Sequence, residues 1–140
     1  MKLTINSDGG SRGNPGKAAA AFIVKDENSA VIFEWKKYLG VKTNNQAEYT
    51  GLVMAWKWLL QYDKLSEVKS VEHQVDSELV YHQLAGRYKV KSKDLIPFVE
   101  KARELQKQLP CTIAVIHVRR EFNKEADYLV NKALDEISEI

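Results

Sequence analysis

Disulfide bonds within this chain are excluded by its cysteine content, because Cys111 has no second cysteine to pair with. The same scarcity rules out a zinc site built on thiolates. Beside Thr112 and Ile113, Cys111 reads as a small core hydrophobe suited to a reducing compartment. Only three prolines and seven glycines are present, which excludes collagen-like and Pro/Gly-rich disordered classes. Long apolar runs are also missing: stretches such as Ala18 to Val24 fall well short of the ~18–20 residues a membrane span needs. Met1-Lys2-Leu3-Thr4 opens no signal-peptide core, so the expectation is a cytoplasmic protein with no membrane contact. Neither sign of charge dominates, with 21 Lys+Arg against 19 Asp+Glu and a net charge of +2. Any anion-binding surface must therefore be local.

What is present suits one globular domain over residues 1–140, with 44% hydrophobic residues to build a core. Leu3, Ile5 and Ser7 alternate with polar residues in a short first strand, which the turn-rich stretch Gly9 to Gly16 is expected to stop. Ala18 to Lys25 and Ala30 to Leu39 read as two further strands joined by the polar turn Asp26-Glu27-Asn28-Ser29, hence an antiparallel meander. The period then changes to that of a helix from Asn44 to Tyr62, with Thr43 or Asn44 placed to cap it. Val68 to Val75 is a fourth strand, and Asp76 or Ser77 can cap a short helix ending near Gly86. A helix from Asp94 to Leu109, a fifth strand from Thr112 to Val118, and a final helix capped by Asn123 complete the order βββαβααβα. Three antiparallel strands followed by strand-helix-strand crossovers imply an α/β fold, a five-stranded mixed sheet flanked by helices.

In such sheets, chemistry collects at strand ends. Four acids stand at segment junctions: Asp8 after the first strand, Asp76 after the fourth, Glu48 early in the first long helix, and Asp127 one turn into the last. Each has a structural alternative. Asp8 precedes two glycines as turn residues do, Asp76 can be an N-cap, and Glu48 and Asp127 suit positive helix N-termini. Brought to one edge of the sheet, however, four carboxylates would repel one another strongly, and a hard divalent cation such as Mg²⁺ or Mn²⁺ would relieve that repulsion.

Four blocks carry a family resemblance, in order: Ser7 to Gly16 (SDGGSRGNPG), Thr43 to Leu52 (TNNQAEYTGL), Val75 to Leu79 (VDSEL) and His117 to Ala133 (HVRREFNKEADYLVNKA). Together they resemble the signature blocks of the ribonuclease H family, type 1 branch, over nearly the whole chain. The resemblance implies an endonuclease that cuts the RNA strand of RNA–DNA hybrids, uses two Mg²⁺ ions for which Mn²⁺ can substitute, and leaves 5′-phosphate and 3′-hydroxyl ends. It maps the catalytic, metal-holding acids onto Asp8, Glu48, Asp76 and Asp127. Asp8 is expected to be the bridging ligand, because a strand-end carboxylate before flexible glycines can reach both ions. Asn131, four residues beyond Asp127, shares its helix face and offers an amide oxygen as an alternative ligand. Gly9, Gly10, Ser11, Asn14, Thr43, Asn44 and Asn45 resemble the family's contacts to RNA 2′-hydroxyls and to the DNA strand. For Asn14 a turn, and for Thr43 or Asn44 a helix cap, is the competing reading. A monomer is the default expectation, and double-stranded RNA stays open as a second substrate.

The departures from the family pattern are informative. Between Asp76 and Asp127 the chain is too short for the basic helix-and-loop insertion of longer family members. Arg87, Lys89, Lys91 and Lys93, around Tyr88, either replace part of that grip or form a solvated basic loop. Glu78 stands where relatives carry an uncharged polar residue near the RNA bases. The segment before the last helix lacks the family's loop histidine. His117 belongs by alternation to the fifth strand, which leaves Arg120 or Glu121 nearest that location. His73 and His82 show no partner in the sequence. Trp56 and Trp58, two positions apart on one helix, cannot both face away from the core, and Trp35 is expected to pack. Two other readings remain in view: a non-catalytic module of the same fold binding hybrid or double-stranded RNA, and a nuclease of that fold with another nucleic-acid substrate. The acid tetrad argues against the first, and GNPG with TNN against the second.

Overall fold

The structure, a computed structural model, describes residues 1–138. Five strands form one sheet: β1 (Lys2–Arg12), β2 (Gly16–Lys25), β3 (Val31–Lys42), β4 (Ser70–Val75) and β5 (Thr112–His117), in the spatial order β3-β2-β1-β4-β5. The helices are α1 (Asn44–Gln61), α2 (Glu78–Leu84), α3 (Ile96–Gln108) and α4 (Lys124–Ser138). Short 3-10 turns at Leu65–Glu67 and Arg120–Phe122 lead into β4 and α4. β1, β2 and β3 pair antiparallel, whereas β4 and β5 add in parallel beside β1, as the strand-helix-strand connections require. The expected α/β mixed sheet and its element order are therefore present.

Two apolar layers cover opposite faces of the sheet. On one, Leu3, Ile5, Phe22, Val24, Val71 and Val75 pack against Leu52, Trp56 and Leu59 of α1, with Val99, Ala102 and Leu105 of α3 behind them. On the other, Ala19, Ala21 and Ile23 meet Leu129, Val130, Ala133 and Leu134 of α4. β2 lies under both layers, which explains why Ala18 to Val24 is a continuous buried run rather than an alternating one. α1 is likewise packed by the sheet and by α3. Its buried residues, Ala47, Tyr49, Gly51, Leu52, Val53, Ala55, Trp56 and Leu59, spread wider than the single apolar stripe of a helix packed on one side. Trp56 is fully buried, while Trp58 stacks half-buried on Phe33 and Tyr62, and Trp35 packs on Phe22.

Several expectations need correction. The first strand does not stop at Gly9: β1 runs on to Arg12, pairing Gly9 with Ala20 and Arg12 with Lys17. The turn is confined to Gly13, Asn14 and Pro15, with Gly13 at positive φ and a cis Asn14–Pro15 peptide. Consecutive small residues, Gly9 to Ser11 opposite Ala18 to Ala20, let the strands pair without steric conflict, so composition alone reads as a loop what pairing makes a strand. α3 begins at Ile96, with Leu95 rather than Asp94 at its boundary and Pro97 in its first turn. Asn123 precedes α4 as expected, but its side chain reaches across to β1 instead of capping the helix.

Candidate active site

The site lies where β1 outruns its neighbour. The ladder between β1 and β4 ends at Asn6 and Gln74, so Asp8 stands beyond it, paired only on the β2 side with Ala21. It shares the sheet face of Ala21, the one covered by α4, and is 5% exposed. Asp76 follows the last residue of β4, and Ser77 caps α2 by accepting from the Val80 N–H. Glu48 is delivered by α1, whose start is fixed by a capping box between Thr43 and Gln46.

Two glycines bring α1 close enough for Glu48 to reach Asp8. A Cβ on Gly9 would sit 2.1 Å from the Ala47 carbonyl carbon, and one on Gly51 would sit 2.8 Å from the Asp8 carbonyl oxygen. Side chains at either position would push helix and strand apart. Gly9 is thus a packing requirement rather than loop flexibility.

In this geometry Asp8, Glu48 and Asp76 each offer a ligand atom, all within 4.8 Å of one another. Asp127 lines the same cleft from α4, with Gly9, Gly10, Ser11, Asn44, Asn45, Arg120 and Asn131 around the rim and walls. The electrostatics follow from crowding and burial. Asp8 is raised to about 7, first by burial and then by Asp76 and Asp127, partly offset by a hydrogen bond with Glu48. Glu48 is raised well above its ordinary value by burial, by the Asp8 charge, and by sharing that hydrogen bond with Asp8. One further atom is informative: Asp76 Oδ2 is buried and has no hydrogen-bond partner among the described residues. A carboxylate oxygen left unsatisfied beside two other acids is the donor set a hard cation takes up. The residues therefore fit a divalent metal.

The remaining candidates divide. Ser11 and Asn44 line the cleft and are joined, Asn44 Oδ1 accepting from the Ser11 N–H at 2.8 Å and from its hydroxyl at 3.0 Å. Asn14 stands outside it, its Oδ1 accepting from the Asn44 N–H at 3.0 Å, and Thr43 is occupied as the cap of α1. Asn14 and Thr43 therefore hold the rim in shape. Asn131 Nδ2 donates to the Asp127 carbonyl at 3.1 Å. Arg120 lines the same cleft as the carboxylates, whereas Glu121 lies in a neighbouring depression with Asn6 and Gln74.

His117 lies in β5, its ring stacked on Tyr81, as alternation indicates. His82 is not without a partner, since Arg87 Nε donates to its Nδ1 at 2.9 Å. His73, which shows no partner in the sequence and reads there as an ordinary surface or strand residue, does lie in a strand, β4, but it has two partners. It is fully buried, its Nδ1 accepting from Trp56 Nε1 at 2.8 Å and its Nε2 lying 2.7 Å from Ser7 Oγ. No local pattern could have shown this, because its partners are 17 and 66 positions away.

A family model described as reverse transcriptase-like matches residues 6–133. The bifunctional protein Rv2228c of Mycobacterium tuberculosis is 40% identical over 138 residues, 96% of this chain and 36% of that protein. The chain thus spans little more than a third of that relative. Ribonuclease HI of Halobacterium salinarum is 36% identical over 129 residues, 92% of this chain and 62% of the relative. The crystal structure of LC11-RNase H1 in complex with an RNA/DNA hybrid superposes with a TM-score of 0.91 at 36% identity, covering 96% of this chain and 98% of that one. With the four sequence blocks, the strand order and the acidic cleft in agreement, the chain belongs to the ribonuclease H family, type 1 branch.

Proposed function

We propose that this chain is a divalent-metal-dependent endonuclease that hydrolyses the RNA strand of RNA–DNA hybrids, leaving 5′-phosphate and 3′-hydroxyl ends. The observation that carries the reading is the convergence of Asp8, Glu48 and Asp76 within 4.8 Å, together with a buried Asp76 oxygen that has no partner among the described residues. Four acids at one sheet edge are costly for a module that only binds, and become useful when their charge is needed for catalysis.

Asp8, Glu48, Asp76 and Asp127 would hold two Mg²⁺ ions, or Mn²⁺ in their place, which when bound supply activation of water and stabilisation of the departing 3′-oxygen. Asp8, which interacts with each of the other three acids, would be the ligand common to both. The protein's own part is positioning. β1 and α1 are held in van der Waals contact through Gly9 and Gly51, so Asp8 and Glu48 cannot separate to relieve their repulsion. Arg120, which also lines the cleft, carries a guanidinium fork suited to phosphate oxygens. Gly10 and Ser11 line the cleft with little side-chain bulk, and a Cβ on Gly10 would meet nothing closer than 3.9 Å. The backbone is thereby open to a minor groove, where the 2′-hydroxyl distinguishes RNA from DNA. The likeness to LC11-RNase H1, solved on an RNA/DNA hybrid, supports the same substrate for this chain.

The test is cleavage of end-labelled RNA–DNA, RNA–RNA and DNA–DNA duplexes with Mg²⁺, Mn²⁺ or EDTA. Hybrid-strand cleavage that requires a divalent ion and disappears in Asp8→Asn is expected. Binding without cleavage under every metal condition would make the chain a recognition module instead.

A further inference from the structure

We propose that Asn123 is a positioning residue that locks the first turn of α4, and with it Asp127, onto β1 beside Asp8. The inference rests on the nuclease reading for its catalytic consequence, but not for its structural one. Asp127 stands apart from the other three acids in one respect. Asp8 lies in a strand, Asp76 directly follows one, and Glu48 is carried by a helix packed tightly on β1, whereas Asp127 stands near the start of a helix entered through the exposed segment Arg119 to Phe122. Something must hold that start in place.

Asn123 has the required connections. It is 1% exposed although exposed residues flank it on both sides. Its Nδ2 donates to the Ser7 carbonyl at 2.9 Å, and its Oδ1 accepts from Asn6 Nδ2 at 3.0 Å. Its own carbonyl accepts the Asp127 N–H at 3.1 Å. One residue is therefore bonded both to the residue preceding Asp8 and to Asp127. Ser7 is the first residue of β1 past the ladder with β4, and the Asn123 amide takes up its carbonyl where that ladder has ended.

The chemistry explains the residue type. The position needs a donor for a carbonyl and an acceptor for an amide on one short side chain. Aspartate lacks the donor, alanine lacks both, and glutamine is a methylene too long for a fully enclosed site. Asn6 is itself anchored, its Nδ2 also donating to Gln74 Oε1 at 3.0 Å, so the strut rests on both β1 and β4.

The first experiment uses metal-free protein. In N123A the Asp127 amide is expected to exchange with solvent at least about tenfold faster than in wild type, while core amides such as that of Val71 change less than about twofold. In cleavage assays N123A is expected to lower kcat by ~10–100-fold and to raise the Mg²⁺ concentration for half-maximal rate, with KM for hybrid within about twofold. In a D127N background the same substitution should lower kcat by less than about threefold, because its route to the chemistry is already gone. If N123A fails to fold, N123L replaces it, since it is close to asparagine in shape, adds no charge, and lacks both the donor to Ser7 and the acceptor for Asn6. Unchanged protection of the Asp127 amide in the folded variant overturns the proposal, as does an equal loss of kcat in both backgrounds. A wild-type chain that cleaves no duplex would defeat the nuclease reading alone, and amide exchange would still decide the role of Asn123.

Discussion

Gly9 of β1 and Ala47 of α1 are in direct backbone contact, so close that a Cβ on Gly9 would lie 2.1 Å from the Ala47 carbonyl carbon and 2.4 Å from the Glu48 nitrogen. Neither partner is the free end of a side chain, so the clash can be relieved only by moving the helix. Gly9→Ala is expected to destabilise the protein by about 3 kcal/mol or more in urea unfolding. It should also abolish cleavage in any fraction that folds, because Glu48 moves with the helix. Gly10→Ala, with nothing closer than 3.9 Å, is the control and should change stability by less than about 1 kcal/mol.

Asp8 gives the metal-free protein a pH dependence with a definite sign. Its carboxyl holds its proton to about 7 in the folded state, against 3.8 ordinarily, chiefly because it is buried. Between those values the folded chain binds more protons than the unfolded one, so this group's contribution to stability falls as pH rises from about 4 to about 7. Above that range the full cost of crowding is present. Metal-free Asp8→Asn is therefore expected to be more stable than wild type at pH 8 by roughly 1–3 kcal/mol, and to lose that advantage toward pH 4. Wild type should gain thermal stability from Mg²⁺ at pH 8 and little at pH 5, and Asp8→Asn should gain little at either. Scanning calorimetry with Mg²⁺ or EDTA reads both.

His73 titrates in the opposite sense. Burial lowers it to about 3, so the ring stays neutral in the fold while an unfolded chain takes up a proton below about 6.5. Its contribution is complete above 6.5 and is lost progressively as pH falls toward 3. Because Trp56 Nε1–H donates to Nδ1, the proton resides on Nε2 and points at Ser7 Oγ. Ring NMR signals should show that tautomer and no titration between pH 8 and pH 4. Trp56→Phe leaves Nδ1 without a donor in the core and should cost about 1–3 kcal/mol for the lost hydrogen bond, measured by denaturant unfolding.

The loop after α2 offers a test of substrate grip. Arg87, Lys89, Lys91 and Lys93 are all exposed, and Arg87 is held in place over the Tyr81 ring at 4.9 Å while donating to His82. Replacing Lys89, Lys91 and Lys93 together by glutamine should raise KM for hybrid by about 3–10-fold at moderate salt and flatten its salt dependence, with kcat within about twofold. An unchanged KM and salt slope would make the stretch a solvated loop.

The four sequence blocks were sufficient to name Asp8, Glu48, Asp76 and Asp127 as candidates, because side-chain type and order survive in the chain whatever its conformation. The helices around Glu48 and Asp127 were legible for a related reason. Period, caps and breakers are local, and Thr43, Ser77 and Pro97 act within a few residues of themselves. The length of β1 was not legible, since Gly9 to Arg12 becomes strand only because Ala20 to Lys17 lies opposite.

Local chemistry thus determined the elements, their order and the acids available. Only the tertiary structure decided which of those acids meet, and how. It placed Glu48 against Asp8 through two glycines, left an Asp76 oxygen without a partner among the described residues, and joined Asn123 to Ser7 across 116 positions. It also turned His73, unremarkable in the sequence, into a neutral buried link between α1 and β1. The physical reason is one of range. Propensity and periodicity act over a few residues, whereas hydrogen bonds, close packing and charge repulsion depend on distances that only the folded chain sets.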